Sequence, residues 1–348
     1  MIERIDVAAV RVEIPTVRNA IRHWDVREAL LVTVQSDDGG RGQGEASPLP
    51  GFSHETLDAA RAALASAPLP WAAPTTERFE ETFPRLAVPS ASFAMETAFR
   101  DWWSVAHGKP FESSFGVPVA PIALARLVDS PDAAAQAVEA GFGTLKFKVG
   151  VDLDEELACL RATREVVPVA TRLRLDANGV LGPTDAAAWL DAVADLNIEF
   201  IEEPVPWSKL TALRDVRVPL ALDESLVDAE AWPAVDELRR AVPLDTIVLK
   251  PSVLGGFARL RALADDGRAR GMRVIFSHAF GGPIELRAAL ACAAAFGTRD
   301  AAHGLAEHRT LEGWPGVRMP GLRGAHFDPP TDPGLGLPFL AERMGGAP

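Results

Sequence analysis

From Val119 onward, short apolar segments alternate with alanine-rich helical segments, and this alternation constrains the fold more than any other feature of the chain. Helices between consecutive strands make those strands parallel, because a parallel pair needs a long crossover connection. The predicted strands span residues 121–127, 144–149, 172–176, 199–202, 220–223, 246–250, 273–277 and 301–304. Eight such units predict a closed (β/α)8 barrel of the TIM-barrel type. An open doubly wound sheet is the alternative, but no glycine-rich phosphate loop follows the first strand.

The two ends of the chain differ in pattern from this central part, so we expect three divisions. Residues 1–118 have an α+β pattern, residues 119–305 form the barrel, and residues 306–348 form a glycine- and proline-rich tail that returns to the N-terminal part. A further glycine- and proline-rich segment, 42–53, is predicted to be an irregular loop. The predicted barrel helices lie near 131–141, 153–166, 184–195, 207–215, 228–241, 256–270 and 283–296.

Charged residues lie in or at the ends of the predicted barrel strands. Lys146 and Lys148 lie in the second strand and point to the same face, because residues two apart share a face. The next four strands end in charged residues: Asp176, Glu202, Asp223 and Lys250. From Lys148 onward, consecutive positions are 21 to 28 residues apart, which is one β/α unit. All these groups therefore converge on the carboxyl-end mouth, where active sites of this fold lie.

Three carboxylates cannot lie together in a barrel mouth without a cation to offset their charge. Their all-oxygen donor set suits a hard divalent ion, so we expect Asp176, Glu202 and Asp223 to bind Mg2+, for which Mn2+ can substitute. Glu202 is preferred to Glu203 because it continues the inward alternation of its strand. A lysine beside the metal has a lowered pKa and can act as a base. The set predicts abstraction of a proton α to a substrate carboxylate, with the metal stabilising the enediolate.

These residues also carry a resemblance to a known family. The segments Lys146-Phe-Lys148, Asp176, Glu202-Glu-Pro, Asp223-Glu-Ser and Lys250 resemble the motifs of the enolase superfamily, in its muconate-lactonizing enzyme subgroup. A lysine or histidine base working with Mg2+ is an established pattern of that superfamily. The resemblance implies an enolase-like fold, in which the TIM barrel is covered by an α+β capping domain built from the N-terminal third and the tail.

Within that subgroup, three further stretches resemble the o-succinylbenzoate synthase family: Gly44–Thr56, Arg172–Asn178 and His303–Leu305. This resemblance implies a lyase of menaquinone biosynthesis, a carbon–oxygen hydro-lyase that removes water in the syn sense from 2-succinyl-6-hydroxy-2,4-cyclohexadiene-1-carboxylate. An N-succinylamino acid racemase or a dipeptide epimerase of the same subgroup is the alternative, with both lysines acting as bases. The Pro-Leu-Pro-Gly-Phe-Ser segment, residues 48–53, favours the synthase.

The resemblance assigns roles to single residues as well. It implies that Lys148 removes the α-proton and returns it to the leaving hydroxyl, while Lys250 stabilises the enediolate from the other face. Lys146 would neutralise the bound carboxylate. Asn178 and Glu224 would orient groups around the metal. Arg174 would lie near the substrate or just behind the residues that contact it.

The loop after the seventh predicted strand departs from the family pattern. The family often has Ser-x-x-x-Glu-Ser there, whereas this chain has Ser277-His-Ala-Phe-Gly-Gly-Pro283, with glycine at the position of the glutamate. We expect this loop to contact the succinyl arm through Ser277 and through backbone groups of Gly281 and Gly282. Two residues of the capping domain are expected to close over the mouth: Phe52 and Ser53.

Composition narrows the class of partner. The net charge of −13 argues against a nucleic-acid partner. No apolar run approaches the ~18 residues of a membrane span, and the N-terminal segment lacks an apolar signal core. The two cysteines, Cys159 and Cys292, lie in helical patterns and are expected to be core thiols in a reducing compartment. We therefore expect a cytoplasmic enzyme for a small-molecule carboxylate, and the sequence does not specify its oligomeric state.

Overall fold

Three antiparallel strands form the N-terminal sheet of the computed structural model, which describes residues 1–19, 21–71 and 86–345. Strand β1 (Ile2–Arg18) pairs with β2 (His23–Ser36), and β2 pairs with β3 (Arg41–Ala46). The turn between β2 and β3 contains Gly39, whose φ of 85° suits a residue without a side chain. The sequence Asp37-Asp-Gly-Gly40, which is typical of a hairpin turn, forms that turn here.

Helix α1 (Leu57–Ala65) and helix α2 (Pro89–Ala106) pack against this sheet, and α2 is buried along most of its length. The sequence predicts residues 42–53 to be irregular, which is wrong for the part that belongs to β3. The glycines of this segment are needed for close packing, since a Cβ on Gly44 would collide with the carbonyl oxygen of Ala94 in α2.

Seven parallel strands form the second sheet, where they lie side by side in the order in which they occur along the chain. Every pair of neighbours in this sheet is parallel, as the helical connections predict. The strands are β5 (Arg126–Leu127), β6 (Thr144–Lys148), β7 (Arg172–Asp176), β8 (Ile198–Glu202), β9 (Leu220–Leu222), β10 (Leu244–Leu249) and β11 (Arg273–Phe276).

The predicted eighth strand, 301–304, is wrong as a strand but correct in place. It forms two isolated parallel bridges, Leu124 with His303 and Ser277 with Gly304. These bridges join both edges of the seven-stranded sheet, so the barrel closes through them. The two segments come very close together at this bridge, since a Cβ on Gly304 would lie 2.8 Å from Oγ of Ser277.

Helices connect the parallel strands along the outside of the barrel. They are α3 (Pro131–Glu139), α4 (Leu153–Val166), α5 (Pro183–Ala192), α6 (Ala231–Ala241), α7 (Pro251–Leu254), α8 (Phe257–Ala269) and α9 (Pro283–Phe296). The helix predicted at 207–215 is wrong in type, because Trp207–Leu213 is a 3-10 helix with Pro206 at its start. Cys292 is buried as predicted, whereas Cys159 is partly exposed. Within the described ranges, no helix combines the length and apolarity needed to cross a bilayer.

The C-terminal tail contacts both the N-terminal sheet and the barrel. The predicted first strand is divided, and its first part, β4 (Ile122–Ala123), pairs with β13 (His326–Phe327), next to β12 (Leu322–Arg323). The side chain of Gln43 donates to the carbonyl oxygens of Leu337 and Pro338 at 3.2 and 3.0 Å. The tail ends in a short helix, α10 (Leu340–Arg343).

Apolar side chains fill the barrel below its mouth. They form one buried cluster: Phe200, Ala221, Val248, Ile275 and Ala301. Successive residues of a strand alternate between faces, so the residue two positions after each of the first three also points inward. Those positions are Glu202, Asp223 and Lys250, which places their charges one layer above the apolar plug.

Candidate active site

Two lysines of β6 reach one carboxylate of β7. The strand register sets Lys148 opposite Asp176. The Nζ atoms of Lys148 and Lys146 lie 2.5 and 2.8 Å from the same oxygen, Oδ2 of Asp176. Lys146 also donates to Oε2 of Glu202 at 2.6 Å. The two ammonium groups therefore lie side by side at the mouth, as their spacing predicts.

The three predicted acidic residues meet at the ends of their strands. One carboxylate oxygen from each of Asp176, Glu202 and Asp223 lies within 4.8 Å of the other two, and all three residues are buried. Glu203 does not join them. Its φ of 41° turns it away, and its carboxylate accepts the N–H groups of Asp223 and Ser225 at 2.8 and 3.0 Å.

This triad fits a hard divalent cation. Among the residues that the structure describes, these three carboxylates form a group whose oxygen atoms lie close enough together to hold one metal ion. All three donors are carboxylate oxygens, which suit ions such as Mg2+, whereas soft metals prefer thiolates. Asp176, Glu202 and Asp223 are therefore chemically suited to such an ion.

Opposite charges control the ionisation of the Lys146 side of the triad. Burial alone would raise the pKa of Asp176, but Lys146 and Lys148 outweigh it and hold that pKa far below its ordinary value. Burial alone would lower the pKa of Lys146, but Asp176 and Glu202 raise it above its ordinary value. In this part of the site, Asp176 is ionised and Lys146 is an ammonium ion.

Lys250 approaches the triad from the opposite side of the barrel. It follows β10, donates to the carboxylate of Asp223, and lies 3.9 Å from Oε1 of Glu224. Burial lowers the pKa of Lys250, but these two carboxylates outweigh it and raise the pKa above its usual range. For Asp223, burial and Glu224 raise the pKa well above its ordinary value, despite Lys250. A further cation beside Asp223 would therefore help this carboxyl group to ionise.

Asn178 connects Lys148 to Glu224. Its Oδ1 accepts from Nζ of Lys148 at 3.0 Å, and its side-chain amide donates to Glu224. Its φ of 48° lies in the left-handed region, which asparagine tolerates better than most residues. The Lys148 ammonium is therefore held between Asp176 and Asn178. The orienting roles that the family resemblance implies for Asn178 and Glu224 stay predictions.

The capping loop after β3 reaches the Lys250 side of the mouth. Phe52 places its ring over the ammonium group, with Nζ of Lys250 4.5 Å from the ring centroid. Ser53 accepts from the N–H of Leu49 at 2.9 Å, which holds the loop in its turn. Phe52 and His54 line a small cavity together with barrel residues Asp223, Glu224, Val227, Lys250, Val253 and Leu254. Phe52 therefore borders the site, and Ser53 shapes the loop that carries it.

Arg174 lies deeper in the barrel than the resemblance implies. It precedes Asp176 by two residues on the same strand face, and it is fully buried. Its Nε donates to Glu199 and its Nη1 to the carbonyl oxygen of Ala302, both at 2.6 Å, while its guanidinium lies over the ring of Phe200. These contacts tie strands together below the mouth, so the observed contacts are those of a barrel-interior residue.

The two loop glycines after β11 are enclosed by other side chains. A Cβ on Gly281 would collide with the carboxylate of Glu285, and one on Gly282 would collide with the indole of Trp314. The carboxylate of Glu285 thus fills the space where a side chain at position 281 would begin. The N–H of Gly282 donates to Glu45. That N–H is therefore already paired, and the predicted contact of the Gly282 backbone with the substrate stays a prediction.

Two histidines that the sequence analysis gave no role border the same loop. Ser277 donates to the carbonyl oxygen of Gly304 at 3.2 Å, and the next residue, His278, has its ring centroid 4.2 Å from that of His308. Burial, followed by His308 and the three lysines of the site, lowers the pKa of His278 well below its ordinary value. Burial also lowers the pKa of His308 to about 3. Both rings are therefore neutral near pH 7.

The chain matches two protein families, and the known proteins that resemble it have more than one activity. Residues 129–343 match the family described as Enolase C-terminal domain-like, and residues 13–102 match the family described as MenC, N-terminal domain. An o-succinylbenzoate synthase from Thermosynechococcus vestitus is 32% identical over 281 residues, which cover 75% of this chain and 79% of the relative. A hydrophobic dipeptide epimerase from Enterococcus faecalis is 28% identical over 278 residues, which cover 73% and 76%.

A solved structure shows the same architecture over nearly the whole chain. The L-Ala-D/L-Glu epimerase from Bacillus subtilis, in a substrate-liganded complex, superposes with a TM-score of 0.82 at 25% identity, over 97% of this chain and 98% of that one. The predicted fold, a TIM-type barrel with a capping domain, is therefore confirmed. From its sequence matches and its fold, the chain belongs to the enolase superfamily, in the subgroup of muconate-lactonizing enzyme.

Proposed function

We propose that this protein is a Mg2+-dependent o-succinylbenzoate synthase. The observation that carries the proposal is the pair of lysines, Lys148 and Lys250, on opposite sides of one buried carboxylate triad. Such a pair suits proton chemistry at a carbon beside a bound carboxylate. The match of residues 13–102 to a MenC N-terminal domain and the 32% identity to a synthase support this choice of substrate.

Lys148 is the better placed of the two lysines to act as the base. Its side chain is 22% exposed, against 8% for Lys250, so a substrate can reach it more easily. As a neutral amine it takes the α-proton, and the C–H electron pair moves into the carboxylate to give an enediolate. It then returns the proton to the neighbouring hydroxyl, the C–O bond breaks, water leaves and the ring becomes aromatic.

The remaining residues of the site supply positive charge and hold the two lysines in position. When bound, Mg2+ would supply positive charge to the substrate carboxylate as that group becomes more negative. Lys250, whose pKa is raised by Asp223 and Glu224 after the opposing effect of burial, stays an ammonium ion and faces the enediolate. Asn178 holds Lys148 in place, and Phe52 shields Lys250 from water.

A racemase or epimerase is the second candidate, favoured by the relatives that carry those activities. The same two lysines would then exchange roles, one removing a proton from one face and the other delivering a proton to the opposite face. Burial lowers the pKa of Lys250, but Asp223 and Glu224 outweigh it and raise that pKa, which fits a static cation better than a residue that must release and regain a proton.

The test is the ultraviolet absorbance of the cyclohexadiene substrate on mixing with protein and Mg2+. We expect the diene band to disappear, and chelation of the metal with EDTA to abolish the change. Unchanged absorbance would reject the synthase. Deuterium incorporation into N-succinylamino acids or dipeptides in heavy water would then establish the second candidate.

A further inference from the structure

Two glutamates from distant parts of the chain meet one serine hydroxyl behind the mouth. Glu45 lies on β3 and Glu285 in the first turn of α9, and both are buried. Oγ of Ser47 is 2.8 Å from Oε1 of Glu45 and 2.6 Å from Oε2 of Glu285. A hydroxyl has one hydrogen and can donate to only one of them. The other contact therefore requires a proton on a carboxyl group.

Backbone donors indicate which carboxyl group is ionised. Glu45 accepts N–H groups from Gly282, Ile284 and Glu285, the last two at 3.2 Å, at the N-terminus of α9. Such donors stabilise a negative charge. Glu285 accepts fewer donors, one hydroxyl from Ser252 at 2.9 Å and one backbone N–H from Ala279. Glu285 is thus the protonated partner, which donates to the serine, and the serine donates to Glu45.

The charge balance of this buried group also calls for one proton. Arg27 is 1% exposed and donates to the carbonyl oxygens of Ser47 and Phe280. With one proton shared, Arg27, Glu45 and Glu285 sum to zero charge, whereas without it they carry one buried negative charge. Two further titratable groups act on Arg27 from its surroundings: Glu28 of β2 and the neutral His308. Burial raises the pKa of both Glu45 and Glu285, that of Glu45 to about 7 with the charge of Glu285 as the next cause, so the raised pKa belongs to the pair and not to one residue.

The same hydrogen bonds hold the elements that border the mouth. Glu45 fixes Gly282 and the start of α9, and Arg27 fixes Phe280, so the loop after β11 is attached to the capping sheet. Glu285 is bonded to Ser252, two residues beyond Lys250. One chain of contacts therefore joins the capping sheet, the loop after β11 and helix α7, which begins directly after Lys250.

We propose that Glu45, Ser47 and Glu285 share one buried proton and act as positioning residues for the loop 277–282 and for helix α7, which begins directly after Lys250. The positioning part rests on the proposed function, because that function makes Lys250 part of the reaction. The shared proton does not depend on it.

The folded protein should lose stability as pH rises, because the pKa of the buried glutamate pair is raised. The folded pair keeps its proton up to about pH 7, whereas the ordinary glutamate pKa is 4.5. The folded state binds more protons between these values, so stability falls as pH rises through that window. Glu285→Gln keeps the shape and removes the titration. We expect the wild-type Tm to fall by several degrees more than that of the variant between pH 5 and pH 8, and the variant to be the more stable of the two at pH 8.

Controls isolate the pair from other buried acids. Burial also raises the pKa of Glu203 to about 7 and that of Asp101 to about 6, so the difference between wild type and variant is the quantity that matters. Asp191→Asn, at an exposed side chain, should follow the wild type. Equal falls in Tm for wild type and Glu285→Gln would overturn the shared proton. If Glu285→Gln does not fold, Glu45→Gln serves in the same comparison, with the same expected flattening.

Amide hydrogen exchange of residues 277–285 tests the positioning without any substrate. At pH 8 we expect these amides to exchange several-fold faster in wild type than in Glu285→Gln, because two charged carboxylates loosen the loop. Equal rates would overturn the positioning role. The fall in kcat/KM above pH 7 should be smaller in Glu285→Gln than in the wild type. Identical pH profiles of kcat/KM would show that the shared proton has no effect on catalysis. A wild type inactive on every substrate would refute the proposed function alone, since the Tm and exchange results stand without it.

Discussion

The ring of Phe52 lies over the ammonium group of Lys250, with Nζ 4.5 Å from the ring centroid. A loop of the capping sheet thus contacts the lysine on one side of the triad. Lys148, on the other side, is held by Asp176 and Asn178 of the barrel itself. The two lysines therefore differ in their surroundings, which fits one acting as a base and the other as a fixed cation.

Replacing Phe52 with leucine keeps the apolar bulk and removes the aromatic face. A cation over a ring is worth ~0.5–2 kcal/mol, so kcat/KM should fall roughly 2- to 30-fold. Steady-state kinetics of the diene reaction measure this fall, and calorimetry should show unchanged Mg2+ affinity. Phe339→Leu is the matched control, because Phe339 lies under Arg41 at 3.9 Å, outside the site. An equal loss in both variants would contradict the role of Phe52.

Asp223→Asn should weaken Mg2+ binding, because it removes one of the three carboxylates of the triad. We expect at least about a tenfold rise in Kd by isothermal titration calorimetry. Glu230→Gln, at an exposed position nearby, removes the same charge without removing a donor and should bind as the wild type does. Unchanged affinity in Asp223→Asn would exclude it from the ligand set.

The arrangement of the candidate site was predictable because it depends on period and order along the chain. Parallel strands joined by helices bring their carboxyl ends together, so charges spaced by one β/α unit had to meet. The inward choice of Glu202 over Glu203 followed from alternation, and the structure turns Glu203 away with a φ of 41°.

Other features depend on contacts between distant segments and were missed for that reason. Glu45 and Glu285 are 240 residues apart, and neither stretch alone indicates a shared proton. The loop glycine Gly281 is explained only by the carboxylate of Glu285 beside it. The sequence predicts a full eighth strand. In the structure, His303 and Gly304 form only single bridges, to Leu124 and Ser277, and these close the barrel with less regular pairing.

Gly44→Ala should destabilise the fold, because the added Cβ would collide with backbone of α2 at Ala94, which cannot move like a side-chain end. Overpacking of this kind costs about 1–3 kcal/mol or more in the free energy of unfolding. Gly143→Ala is the matched control, since its Cβ would meet open space and its φ is not positive. Urea unfolding should separate the two variants, and equal midpoints would contradict the close packing of β3 on α2.

A buried ion pair joins α9 to the 3-10 helix Phe111–Phe115. Nη1 of Arg287 lies 2.7 Å from Oε1 of Glu112, and both side chains are almost fully buried. Arg287→Met leaves the carboxylate buried without its partner, which should cost about 3–5 kcal/mol. Adding Glu112→Gln should recover part of the loss in denaturant unfolding. A double variant less stable than Arg287→Met would contradict this account of the pair.

The most direct test of the central claim compares wild type with Lys148→Ala in the ultraviolet assay of the cyclohexadiene substrate with Mg2+. We expect loss of the diene band with the wild type. With the variant we expect a rate lower by roughly 100- to 10,000-fold, while its fold and Mg2+ affinity are retained. A variant that turns over at the wild-type rate would contradict the assignment of Lys148 as the base.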